Sequence, residues 1–264
     1  MRINLLGPIS ARINGVSIAP RATKPCQILA LLAFNADRLV SKSAIFEELW
    51  GTTPPPGATT TLHTYIHHLR RNIDEALGLR SHRTSREVLV TERTGYSLHL
   101  HDDGDTDVLE FRRLSGPGIA AFESGDFATA SELLRKALNL WRSQVLSDIR
   151  TGPLLALEAS SLDDARLAVL NRRIEADLHL DRHLEILGEL RTLTFQNPVN
   201  ENFAAHYMTS LYSSGRVGEA LGEFQRIRST LIEELGVEPA PRLQHLQETI
   251  LAGAERPGTL AGRA

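Results

Sequence analysis

At 264 residues and 42% hydrophobic, the chain is long enough to bury two ordinary cores. One cysteine excludes an internal disulfide, the opening Met1-Arg2-Ile3-Asn4 is no signal segment, and the longest apolar run, Ile28 to Phe34, is too short to span a bilayer; these features point to a reducing, cytoplasmic protein without a membrane partner. The net charge of −3 conceals unlike halves: residues 1–100 hold 12 Lys+Arg against 7 Asp+Glu, a net of +5, and the rest hold 17 against 25, a net of −8. A basic module condenses onto phosphates and an acidic one is repelled by them, which suits a nucleic-acid reader joined to a protein-facing arm.

Apolar residues alternate from Ile3 and Leu5 through Ile9, Ala11 and Ile13 to Val16 and Ile18, interrupted by Gly7-Pro8 and Asn14-Gly15. This predicts short antiparallel strands, with Asn14-Gly15 suited to a type I′ hairpin. After Thr23, with Pro25 fitted to a first turn, Ile28, Leu29, Leu31, Leu32 and Phe34 predict a buried helix ending near Asn35 to Asp37. Cys26 opens that helix without a resolving partner and is expected to be a buried, inert thiol. Ser41 is the expected N-cap of a second helix running through Trp50 to a Gly51 stop, with Val40 and Ile45 as its hydrophobic staple.

Pro54-Pro55-Pro56 cannot continue a helix, so a third begins near Gly57 or Ala58 and runs to about Leu77. Leu62, Ile66, Leu69 and Ile73 form its core stripe; Thr60, Thr64, His67, His68 and Arg71 project from the opposite side, with His63 and Arg70 on a flank. A face of donors and cations without a run of carboxylates is what a major-groove helix requires. Thr64, His67 and His68 are the expected base readers, and Thr60, Arg70 and Arg71 the backbone anchors. Val88-Leu89-Val90 and Tyr96-Ser97-Leu98 predict two strands around Arg93-Thr94-Gly95, a basic-tipped wing with Arg93 and Thr94 at the duplex. Tyr96 is expected beneath the wing, and Trp50 and Trp141 in the core. His63/His67 and His179/His183 share the i, i+4 spacing of helical metal ligands but have no evident third ligand nearby, so the first pair is assigned to nucleic-acid contact or a solvated face and the second to structure.

In order and spacing, Leu39-Val40-Ser41, Glu48-Leu49-Trp50-Gly51, His68-Leu69-Arg70-Arg71 and Thr94-Gly95-Tyr96 resemble the OmpR-type winged helix, here without a preceding receiver domain. The opening Arg2-Ile3-Asn4-Leu5-Leu6-Gly7-Pro8 is similar to the start of the Streptomyces antibiotic regulatory protein family.

From Asp107, whose spacing to Glu110 suggests a capping box, almost every segment is helical in period and no strand alternation survives. Turns at Ser124-Gly125-Asp126-Phe127, Leu180-Asp181-Arg182-His183 and Ser214-Gly215-Arg216-Val217 mark three degenerate helix-turn-helix units, each followed by a small or apolar residue: Ala130, Ile186 or Ala220. The second and third turns are 34 residues apart, the tetratricopeptide period. Leu140-Trp141-Arg142, Arg172-Arg173-Ile174-Glu175-Ala176-Asp177-Leu178 and Glu233-Glu234-Leu235-Gly236-Val237-Glu238-Pro239 resemble the bacterial transcriptional activation domain of the same family.

The expected architecture is an α+β N-terminal winged helix-turn-helix domain (1–100), a linker (101–106), an all-α tetratricopeptide-like activation domain (107–252) and a disordered tail (253–264). The resemblance implies an activator of a secondary-metabolite gene cluster that binds direct repeats of double-stranded DNA, with protomers touching on the DNA and RNA polymerase held through its sigma and alpha subunits. No phosphate loop, HExxH or GxSxG motif is present, so neither enzymatic activity nor a cofactor is expected. Two other readings stay open: a repressor whose helical domain binds an effector, and a scaffold or sensor that does not bind DNA.

Overall fold

The structure, a computed structural model, describes residues 1–78, 81–100 and 104–253; positions 101–103 of the expected linker and 254–264 of the expected tail lie outside them. No described helix is long and apolar enough to cross a membrane. The chain forms two compact units, one of Met1–Gly116 with Lys136–Leu167 and the other of Pro117–Arg135 with the chain from Ala168 onward.

The first unit opens with a sheet ordered β3-β2-β1-β7. Strand β1 (Arg2–Asn4) pairs antiparallel with β2 (Ser10–Ile13), Ile3 opposite Ala11, and β2 turns back into β3 (Val16–Ser17) through Asn14 and Gly15, both at positive φ as a type I′ hairpin demands. β7 (Asp105–Thr106) adds to β1 in parallel. Helix α1 (Thr23–Phe34) is buried without a break from Pro25 to Ala33, so it fills the core as a nearly all-apolar rod. The Cys26 thiol donates to the Pro20 carbonyl at 2.7 Å, and burial, aided by the charge of Asp148, pushes its pKa up to about 11.

Strand β4 (Val40–Ser41) leads into α2 (Lys42–Trp50), where Ser41 Oγ accepts the Ala44 N–H at 3.1 Å, Val40 and Ile45 are buried as the staple, and Gly51 ends the helix at φ 63°. Trp50, expected in the core, is only half-buried: Phe46 packs on one side at 5.6 Å and the Lys24 ammonium sits 4.8 Å from the ring centroid. Helix α3 (Ala58–Leu77) follows, then α4 (Ser85–Val88) and the hairpin β5 (Leu89–Thr91) and β6 (Gly95–Leu98), with β6 between β4 and β5. Val88 thus closes α4 and does not open a strand.

At the next boundary the cap differs from expectation. Thr106 Oγ1, not Asp107, accepts the Leu109 N–H at the start of α5 (Asp107–Glu123). The buried Asp107 carboxylate instead accepts the N–H groups of Leu5 and Leu6 at 2.7 and 2.9 Å, a partnership that Asp-x-x-Glu spacing cannot reveal. Trp141 is buried edge-on to Phe111.

In the second unit, parts of α5, of α6 (Phe127–Leu138) and of α7 (Pro153–His179, from Ala168 on) precede α8 (His183–Gln196), α9 (Glu201–Ser213), α10 (Val217–Leu235) and α11 (Pro241–Leu251). The three expected turns share one geometry. Gly125, Asp181 and Gly215 have φ of 82°, 56° and 78°; the following amide bonds back to Ala121, Asp177 or Leu211, and their own to Phe122, Leu178 or Tyr212. This is the Schellman closure, and it accounts for each left-handed residue. Five residues on, Ala130, Ile186 and Ala220 are buried. Successive pairs enclose cores of Ile174, Leu178, Ile186, Leu190 and Phe203, then of Met208, Phe224, Ile227, Leu231, Leu243 and Leu246. Asp177 binds Ser131, Arg135, Arg173 and Arg182; burial alone would raise its pKa, but the hydrogen bonds from Ser131 and Arg173 hold it below the usual carboxylate range.

Candidate nucleic-acid interface

Two faces of α3 have opposite character because of its 3.6-residue period. Ala58, Leu62, Ile66, Leu69, Ile73 and Ala76 are buried. Thr60, His63, Thr64, His67, His68 and Arg71 are exposed, and residues 58–73 include no carboxylate. The Thr64 hydroxyl donates to the Thr60 carbonyl at 3.1 Å, so it turns its lone pairs and methyl group outward. His67 and His68 stand side by side with ring centroids 6.2 Å apart.

Arg70 departs from its neighbours. Its Nε and Nη2 donate to the Leu89 carbonyl at 3.1 and 2.6 Å, and Nη2 also donates to Thr91 Oγ1 at 2.7 Å. It therefore ties the helix to the first wing strand through Nε and Nη2. Desolvation, followed by the neighbouring charge of Arg86, lowers its pKa from the ordinary guanidinium value. Tyr96 is buried on β6 opposite Val40, beneath the wing as expected.

The hairpin is fixed at its base as well. Lys42 N–H donates to the Thr94 carbonyl at 3.0 Å, and a Cβ on Gly95 would collide with the Val40 carbonyl oxygen, so only glycine permits this approach of β6 to β4. Arg93 and Thr94 are exposed at the tip. Glu92 shares the tip, but its carboxylate accepts the Ser97 hydroxyl at 3.1 Å and is thereby turned back along the hairpin.

Residues 106–251 match the family described as Bacterial transcriptional activator domain, and residues 20–98 match Transcriptional regulatory protein, C terminal. Over 251 residues the chain is 46% identical to Regulatory protein DnrI of Streptomyces peucetius, spanning 95% of this chain and 92% of that protein. The chain belongs to the Streptomyces antibiotic regulatory protein family. Its relatives include Regulatory protein AfsR of Streptomyces coelicolor, 34% identical over 95% of this chain but only 24% of AfsR. A solved structure of Mycobacterium tuberculosis EmbR, in complex with a low affinity phosphopeptide, superposes with a TM-score of 0.87 at 32% identity, covering 97% of this chain and 65% of that one. The protein is accordingly a DNA-binding transcription regulator, with an OmpR-type winged helix followed by a helical activator domain.

In this family member, sequence reasoning missed α4. The pattern Thr84-Ser85-Arg86-Glu87 is the available signal: the Glu87 carboxylate accepts the Thr84 N–H at 2.6 Å, the return half of a capping box. Asp74 of α3 accepts the N–H and hydroxyl of Ser85 at 2.8 and 2.7 Å. Between α3 and the α4–β5 segment lies an open groove of about 510 Å³. Among the described residues, no group of three or more His, Cys, Asp or Glu side chains is placed to hold a metal ion.

Proposed function

We propose that this regulator activates a secondary-metabolite gene cluster by binding direct repeats upstream of a promoter and recruiting RNA polymerase through its sigma and alpha subunits. The observation carrying the DNA-contact part is the exposed side of α3, free of carboxylates over residues 58–73, beside a rigidly anchored wing. α3 enters the major groove; Thr64, His67 and His68 face base edges, and Thr60 and Arg71 face the backbone. Thr64, with its proton bonded internally, offers an acceptor to the amino groups of adenine or cytosine and its methyl to thymine. Arg93 and Thr94 reach the adjacent minor groove. Arg70, through its bonds to Leu89 and Thr91, sets the distance between helix and wing, and its Nη1, which makes no hydrogen bond among the described residues, is turned to a phosphate.

Recruitment needs binding energy only. A mobility-shift assay with the promoters of the neighbouring gene cluster tests DNA recognition: retardation at repeat-containing promoters is expected, and indifference to all of them would turn the assignment toward a scaffold. Initiation reconstituted with purified polymerase tests the sign of regulation. Increased transcript is expected, whereas a decrease would make the protein a repressor.

A further inference from the structure

We propose that the groove between α3 and the α4–β5 segment seats the DNA strand that separates the two contacted grooves, and that Arg86 clamps one of its phosphates from the far wall. The inference rests on the winged-helix reading above and adds a contact residue to it. In duplex DNA, a major groove and the adjacent minor groove are divided by one sugar-phosphate strand. A protein with its helix in one and its wing in the other must therefore face that strand with the surface between them.

Here that surface is concave and built to hold its shape. Asp74 fixes Ser85 by two hydrogen bonds and Arg70 fixes Leu89 and Thr91, so Arg86 sits on a segment pinned on both sides. Arg86 lines the groove, is exposed and makes no ion pair among the described residues. Its charge presses down the pKa of Arg70, which places the two cations in one field. The lining carries Arg70, Arg71 and Arg86 against Asp74 and Glu75, a net of +1, and both Asp74 oxygens already accept hydrogen bonds from Ser85. An anion entering the groove thus meets one unspent guanidinium on the far wall, with Arg71 on the near one.

The test is a salt titration of full-length protein on promoter DNA and on a scrambled duplex. Arg86→Gln is expected to weaken both about 3- to 10-fold and to reduce the slope of log K against log salt by about 0.9, with Arg86→Lys restoring the slope. Arg83→Gln, an exposed neighbour outside the groove, is expected to leave it unchanged. An unchanged slope for Arg86→Gln, an effect on the promoter alone, or an equal effect of Arg83→Gln overturns the clamp while wild-type retardation leaves DNA binding intact. Wild-type protein indifferent to every duplex at low salt overturns the winged-helix reading and the clamp together.

Discussion

Arg71 stands on the open side of α3 and, among the described residues, pairs with Glu75, 3.7 Å away, in a pair whose side chains are 62% and 69% exposed. Such a pair contributes no more than about 0.5 kcal/mol in water, so a phosphate displaces it readily. Arg71→Ala is expected to lower the salt slope of DNA binding by about 0.9 and to leave the melting temperature unchanged; an unaltered slope would remove Arg71 from the contact. His206 is the opposite kind of residue: 4% exposed, its Nε2 4.0 Å from Glu175 and without a hydrogen bond among the described residues. Burial, reinforced by the charge of Arg242, lowers its pKa from 6.5 to about 4. Because the unfolded chain binds this proton more readily, stability is fully present above pH 6.5 and falls as the pH drops toward 4, by roughly 3 kcal/mol. His206→Phe removes that component: denaturant midpoints measured from pH 7.5 to 4.5 should fall less steeply in the variant, and parallel curves would refute the idea.

Each of the three helical turns requires one left-handed residue. At Gly125 and Gly215 a Cβ would meet nothing within 4 Å, so alanine there meets only backbone strain. Each Gly→Ala change is expected to cost about 1–2 kcal/mol of unfolding free energy, read as a lower urea midpoint; no loss at either position would mean that the turn relaxes out of the Schellman geometry. These turns were legible because Gly and Asp signal the conformation directly, as Asn14-Gly15 did for the first hairpin. The long α3 was legible from its strict apolar stripe. β7, with two residues, and α4, with four, have no period to detect, although Thr84-Ser85-Arg86-Glu87 did carry the cap pattern. Of the candidate interface, the exposed line from Thr60 to Arg71 followed from helical spacing. The commitment of Arg70 to the wing did not, because Leu89 lies nineteen residues away and the bond is to a backbone carbonyl.

Over the whole chain, the partners least legible in sequence are buried carboxylates serving distant backbone. Asp107 holds Leu5 and Leu6, and Glu48 accepts the N–H groups of Gly152, Leu154 and Leu155 at 2.6, 3.0 and 3.0 Å. Separations of more than 100 residues leave no periodic trace, so Glu48 looked only like part of the Glu48-Leu49-Trp50-Gly51 segment. In the structure it is 3% exposed and satisfies the orphan amides where α7 begins, where a carboxylate also complements the helix dipole. Glu48→Gln preserves the shape but swaps one acceptor for an amide donor facing donors, leaving at least one of these N–H groups unpaired. The expected cost is about 3 kcal/mol, seen as a lower urea midpoint at unchanged m-value. Glu47→Gln, one residue earlier and exposed, controls for the lost charge. If both variants melt alike, the cap contributes nothing beyond surface charge; if only Glu48→Gln falls, residues 152–155 depend on a side chain more than 100 positions upstream.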